Sequence, residues 1–173
     1  MASYYYLMAS LPMLSSGGGM PMSYEDFLTC CRGNVDEETY GRLESLTLSS
    51  SEGPLLEEWS AAYGSLMREL NAQRSLALGK PYPQGAEKDG LNAHLAAQVM
   101  NAKNPLEAEQ ILLDSEFELL DDLVGLHMFD SSELFGYALK LKLLERRSCF
   151  EKEKGKAEFG HLFEEIRQRV FSL

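Results

Sequence analysis

Between His127 and Gly155 the chain reads HMFDSSELFGYALKLKLLERRSCFEKEKG, and no other stretch restricts the fold as much. Leu134, Tyr137, Ala138, Leu141 and Leu144 recur at helical spacing, while Phe135, Leu139 and Leu143 widen the stripe beyond one face. A helix apolar around so much of its circumference must be covered on several sides, so the remaining chain is expected to assemble on it. Asp130 is the expected N-cap, Glu133 completes a capping box, and Phe129 with Leu134 supplies a hydrophobic staple. Lys152 and Lys154 suit the negative pole of the helix dipole and Gly155 the terminating left-handed turn, which gives about 24 residues and roughly 36 Å. Lys140, Lys142, Arg146 and Arg147 are left to the strip that stays wet or meets a partner.

The other segments carry their own start and stop signals. Tyr4 to Leu14 is almost continuously apolar and is read as a helix, with a buried strand as the alternative and Pro12 limiting either. A Gly-rich loop follows from Ser15 to Pro21. It lacks the Lys-Ser or Lys-Thr of a phosphate-binding P-loop, and acidic residues come after it. Ser23 and Asp36 are placed to cap short helices, the second running to Leu46. Pro54 opens a second long helix, with Leu55, Trp59, Ala62, Leu66, Leu70 and Ala77 in its stripe, ending at Gly79 to Pro81. Trp59 is assigned to the core. Pro81 to Gly90 reads as a loop, LNAHLAAQVMNA as a small-residue helix, and Asn104 with Pro105 and Glu107 as the capped start of another. Lys156 to Leu173, with Phe159, Leu162, Phe163, Ile166 and Val170 at helical spacing, is expected to fold back as a terminal helix. The pattern therefore predicts one all-α domain over residues 1–173, with about seven to nine helices around two long ones.

Composition removes several classes of function. A formal net charge of −11 on 173 residues argues against general nucleic-acid binding, which needs a positive field to displace phosphate counterions. The charge is polarised: residues 1–130 carry 7 basic and 20 acidic side chains, residues 131–173 carry 9 and 7. Cys30, Cys31 and Cys149 form neither a metal spacing nor an even disulfide framework, which fits a reducing compartment and makes the cytoplasm the default. The apolar start is too short to span a bilayer and has no basic residues before it, so neither export nor membrane insertion is expected.

Chemistry finds little support. His94, His127 and His161 stand apart, with no His-x-x-x-His or Cys-x-x-Cys unit and no pair of Glu-x-x-His units for facing helices, and no Gly-x-Ser-x-Gly elbow occurs. Acidic pairs such as Glu57 and Glu58, Glu107 and Glu109, or Asp121 and Asp122 are read as helix-start and surface acids rather than as metal ligands or an acid and base. No catalytic residue, metal or cofactor is expected.

Four separated segments carry a family resemblance. YYYLMASLPML, LLEEWSAAYGSLMRELNAQRSLALG, NPLEAE and the His127 to Gly155 stretch together resemble, in that order, the DUF2764 family of bacterial proteins. That resemblance implies a place beside bacterial V-type (A/V-type) ATP synthases, where such proteins stand in for the helical collar of the central stalk. It also implies a non-catalytic role coupling the central stalk to the membrane ring. The partners are then other V-type ATPase subunits, and the location is the cytoplasmic side of the inner membrane, reached through the complex. The collar proper is longer and built of repeated lobes, so one copy of this chain does not make a complete socket. A free-standing helical adaptor or assembly factor is the alternative. Lys140, Lys142, Arg146 and Arg147 are the expected contact residues, because basic side chains on an acidic protein steer it to an acidic partner. Reversing Lys142 and Arg146 to Glu is expected to leave the fold intact.

Overall fold

A computed structural model describes residues 4–81, 90–150, 159–164 and 167. Its helices are α1 (Tyr5–Ser10), α2 (Tyr24–Cys31), α3 (Glu37–Glu44), α4 (Pro54–Ala77), α5 (Gly90–Met100), α6 (Pro105–Val124) and α7 (Ser131–Ser148). Residues 159–164 and 167 are also helical, and no strand occurs among the described residues. The molecule is an all-α domain.

Local capping chemistry sets most of the helix starts. Ser23 and Asp26 form a reciprocal capping box on α2, Asp36 accepts the Thr39 amide at α3, and Asn104 accepts the Glu107 amide at α6. Asp130 accepts both the Ser132 and Glu133 amides at α7. The two predicted glutamate boxes close differently: Glu133 accepts from Phe129 and Glu107 from Lys103, one residue before each cap. The cap's own amide is bypassed in both. Phe129 also meets α1, its ring 4.7 Å from that of Tyr5.

Two apolar clusters share the long helices. The larger joins α1, α2, α3, the first half of α4, the second half of α6 and all of α7, with Trp59, Phe27, Leu113, Leu134, Leu139 and Leu141 fully enclosed. The smaller is made by Leu66 and Leu70 of α4, Ala96 and Val99 of α5, and Leu112 of α6. Trp59 is core, as its stripe position predicts, and its indole N–H donates to the Leu48 carbonyl at 3.0 Å. The Tyr24 hydroxyl donates to the Leu43 carbonyl, locking α2 to α3, and the Tyr137 hydroxyl donates to the Pro12 carbonyl behind α1. Each buries a ring without orphaning its polar tip.

α7 packs most extensively on α6 and also touches α2 and α4, and α6 in turn packs on α4. The α6–α7 seam is tight at Gly136, where an added Cβ would come 2.5 Å from Cγ2 of Val124. Nothing larger than hydrogen fits there without displacing a stiff β-branched side chain.

Three expectations about boundaries need correction. α7 has 18 residues and about 27 Å rather than 24 residues, because Cys149 and Phe150 turn back to the Arg146 and Arg147 carbonyls in tight i→i−3 bonds. The expected stop at Lys152 to Gly155 lies outside the described residues. Gly90 belongs to α5 rather than to the preceding loop, of which residues 82–89 also lie outside them. In the terminal helix, Phe159, Leu162 and Phe163 are exposed, so its described part does not fold back into the core. Ile166 and Val170 lie outside the described residues.

Candidate interaction surface

The four basic side chains of α7 all have partners within the chain. Lys140 Nζ lies 2.5 Å from Asp121 and 5.3 Å from the Phe117 ring centroid. Lys142 Nζ lies 3.4 Å from Glu145 and 3.6 Å from the centre of the Tyr24 ring. Arg147 Nη1 donates to the carbonyls of Ser16 (2.8 Å) and Gly18 (2.7 Å), and Gln110 donates to Ser16 as well. The Gly-rich loop is thus held down by a guanidinium through its carbonyls, the reverse polarity of a phosphate cradle.

Arg146 departs furthest from the expectation of a wet strip. Its guanidinium forms a two-pronged pair with Glu116 at 2.9 and 2.5 Å, and its Nε donates to Glu109 at 2.6 Å. The Glu116 side chain is 1% exposed and that of Glu109 6%. Burial raises the Glu116 pKa, and the Glu109 charge adds to that, against the opposing pull of Arg146. For Arg146 burial opposes the charge, and the two carboxylates outweigh it, so its pKa rises. This triad ties α6 to α7 across the seam. Reversal of Arg146 would therefore place a third carboxylate beside two buried ones, so the expectation that the fold tolerates it is withdrawn.

Sequence reasoning missed the triad, although a signal was present. Glu109 and Glu116 stand seven residues apart on the same face as Leu112, Leu113 and Leu120, and a carboxylate inside an apolar stripe asks for a buried partner.

No group of three or more His, Cys, Asp or Glu suited to a metal occurs among the described residues. Cys31 is enclosed, and burial, with the neighbouring Cys30, pushes its thiol up to about 12, far from a reactive thiolate. No helix among the described residues is long and apolar enough to cross a membrane.

A group of exposed apolar side chains lies where α1 meets the turn between α6 and α7. Tyr5 and Tyr6 are 51% and 87% exposed, and Leu126 and Met128 in the turn are 98% and 69% exposed. The Tyr5 ring joins the two sides, 5.4 Å from that of Tyr6 and 4.7 Å from that of Phe129. Phe129 itself adopts φ 59°, a left-handed conformation that bulky residues avoid. Its N–H is taken by Glu133 and its carbonyl accepts the Tyr4 N–H at 2.7 Å. Those bonds hold a strained turn in one shape and present its apolar neighbours outward.

No family model, curated protein or solved structure matches the chain.

Proposed function

We propose that this protein is a non-catalytic helical component of a larger assembly, or a factor that helps build one, and that it docks through the apolar end formed by α1 and the α6–α7 turn. The observation that carries the reading is the exposure of Tyr5, Tyr6, Leu126 and Met128 around a turn held in a strained backbone conformation. Contiguous apolar side chains rimmed by charge are a common form of protein contact, and aromatic and Met side chains are enriched in such contacts. The basic residues of α7 then serve first to fasten α6, α2 and the Gly-rich loop, since their headgroups are engaged at home. The resemblance in the sequence supplies the partner in this proposal: the central stalk or membrane ring of a bacterial V-type ATPase, with mechanical coupling as the mechanism. A free-standing adaptor is the second reading, favoured by the same surface if the ATPase is not its partner.

The test is copurification of the full chain with stalk and ring subunits from native membranes, followed by the paired substitution Tyr6→Glu and Leu126→Glu. Both sites are exposed, so helical content and melting should stay as in the parent while the complex is lost. Absence of the parent chain from the purified ATPase would replace the ATPase reading with the adaptor. Retention of the doubly substituted chain would show that docking uses another face.

A further inference from the structure

The exposed apolar group of α1 and the α6–α7 turn has acid on both flanks. On one side α6 ends with no basic residue in its last turn, and Glu118, Asp121 and Asp122 are exposed on its last two turns, just before Leu126. The carbonyl pole of α6 adds partial negative charge at the same place. On the other side the Tyr4 hydroxyl donates to Asp36 at 3.4 Å, which brings the start of α3 alongside α1, and α3 opens with exposed Glu37 and Glu38. Tyr4 also fastens the turn, through its N–H on the Phe129 carbonyl, so both sets of acids are tied to the residues that carry Tyr5 and Leu126.

Little nearby positive charge cancels these acids. Asp121 pairs with Lys140, but its side chain is 69% exposed against 17% for the lysine, so the carboxylate is the outer member. His127 Nδ1 lies 2.6 Å from Asp130, and Arg32, at the end of α2, lies over the Tyr40 ring of α3. Glu37, Glu38, Glu118 and Asp122 take part in no ion pair among the described residues. Hydrogen bonds from Thr39 hold the Asp36 carboxyl below the usual carboxylate range, so it stays ionised. Between the flanks the rings of Tyr6, Tyr5 and Phe129 follow one another at centroid separations of 5.4 and 4.7 Å. Such a strip matches one helix, whose diameter with side chains is about 10–12 Å.

We propose that the occupant of this surface, whose part in docking rests on the reading above, is a basic amphipathic helix of a partner protein: its apolar stripe covers Tyr5, Tyr6, Leu126 and Met128, and its Lys or Arg side chains meet the acids of α3 and α6. The apolar stripe supplies affinity, and the cations on its edges supply steering and register. A second copy of this chain is a poor occupant, because it presents the same acids and carries a formal net charge of −11. Anionic lipid and nucleic acid are repelled for the same reason. The polarity is the reverse of the one the α7 cations suggest, since their headgroups are engaged within the chain.

Fluorescence anisotropy with the full chain and a labelled amphipathic peptide of Leu and Lys, beside the same pattern with Glu in place of Lys, tests the assignment. Three paired variants locate the contact: Glu38→Gln with Asp122→Asn on the flanks, Tyr6→Ser with Leu126→Ser in the apolar group, and Glu25→Gln with Glu44→Gln as a control. Glu25 and Glu44 adjoin Tyr24 and Leu43, which are bonded to each other, and Tyr24 meets Lys142 about three turns along α7 from Asp130. All of these positions are exposed, so melting should match the parent. The Leu-Lys peptide should bind, less tightly as salt rises, and the Leu-Glu peptide should not. The flank pair and the apolar pair should each weaken binding by about fivefold or more, and the control pair by less than about twofold. Failure of the parent to bind the Leu-Lys peptide overturns the proposal, as does equal weakening by the flank and control pairs, which would reduce the attraction to net charge. Weakening by the apolar pair alone overturns the basic partner and leaves the docking surface standing. Weakening by the flank pair alone overturns the docking surface itself.

Discussion

Replacing Arg146 by Ala removes the cation that faces two carboxylates, 1% and 6% exposed, on the neighbouring helix. Taking one partner out of a buried ion pair costs about 3–5 kcal/mol when the remaining charge cannot escape. Here an escape exists, because Glu116 can take up a proton. Keeping a glutamate neutral at pH 7 costs about 1.4 kcal/mol for each pH unit above its ordinary value near 4.3, or roughly 3.7 kcal/mol in all. Part of that cost is already borne by the parent protein, whose Glu116 pKa is raised by burial, so the added loss at pH 7 should not exceed about 3–4 kcal/mol. The sign of the pH dependence follows from the same shift. A carboxyl whose folded pKa is raised contributes fully below its unfolded value, and that contribution is lost as pH rises through the folded value. The Arg146→Ala penalty should therefore shrink to about 1 kcal/mol or less near pH 4, where both states carry the proton. Urea unfolding of parent and variant at several pH values between 4 and 8 measures this. A loss under about 1 kcal/mol at pH 7, or one equally large at pH 4, would refute the buried triad as the link between α6 and α7. Arg146→Met combined with Glu109→Gln and Glu116→Gln, which discharges the whole cluster, should recover most of the stability.

Two further outcomes rest on packing. Gly136→Ala should destabilise the protein by about 1–2 kcal/mol despite the better helix propensity of Ala, since its Cβ meets Val124, and the loss should be smaller in a Val124→Ala background. A stabilising Gly136→Ala by chemical denaturation would mean that the α6–α7 seam is looser than described. Leu141→Ala and Leu144→Ala should each cost about 2–5 kcal/mol, because both side chains are enclosed at the centre of the larger cluster. Losses below about 0.5 kcal/mol in denaturant midpoint analysis are the behaviour of surface positions and would displace α7 from the core.

Much of the fold was legible because helix starts and apolar stripes are local properties. Ser23, Asp36, Asn104 and Asp130 each satisfy amides two or three residues away, so the reading needs no knowledge of the rest of the chain. Spacing alone likewise assigns Trp59 and the Leu141 and Leu144 stripe to the core, and they lie there. The interaction surface was not legible in the same way. Arg146 looks like any surface cation in a polar quartet until α6 brings Glu109 and Glu116 against it, thirty-seven and thirty residues away. Tyr5 and Tyr6 look like core residues in a run of apolar side chains. Only the docking of Tyr4 and Leu7 on the bundle fixes the rotation of α1 that leaves the two rings outside. Hydrogen bonds to near neighbours and periodic hydrophobicity are written into the chain at short range. Which charges are desolvated and which apolar side chains stay wet depends on long-range packing, and that was decided by the tertiary structure.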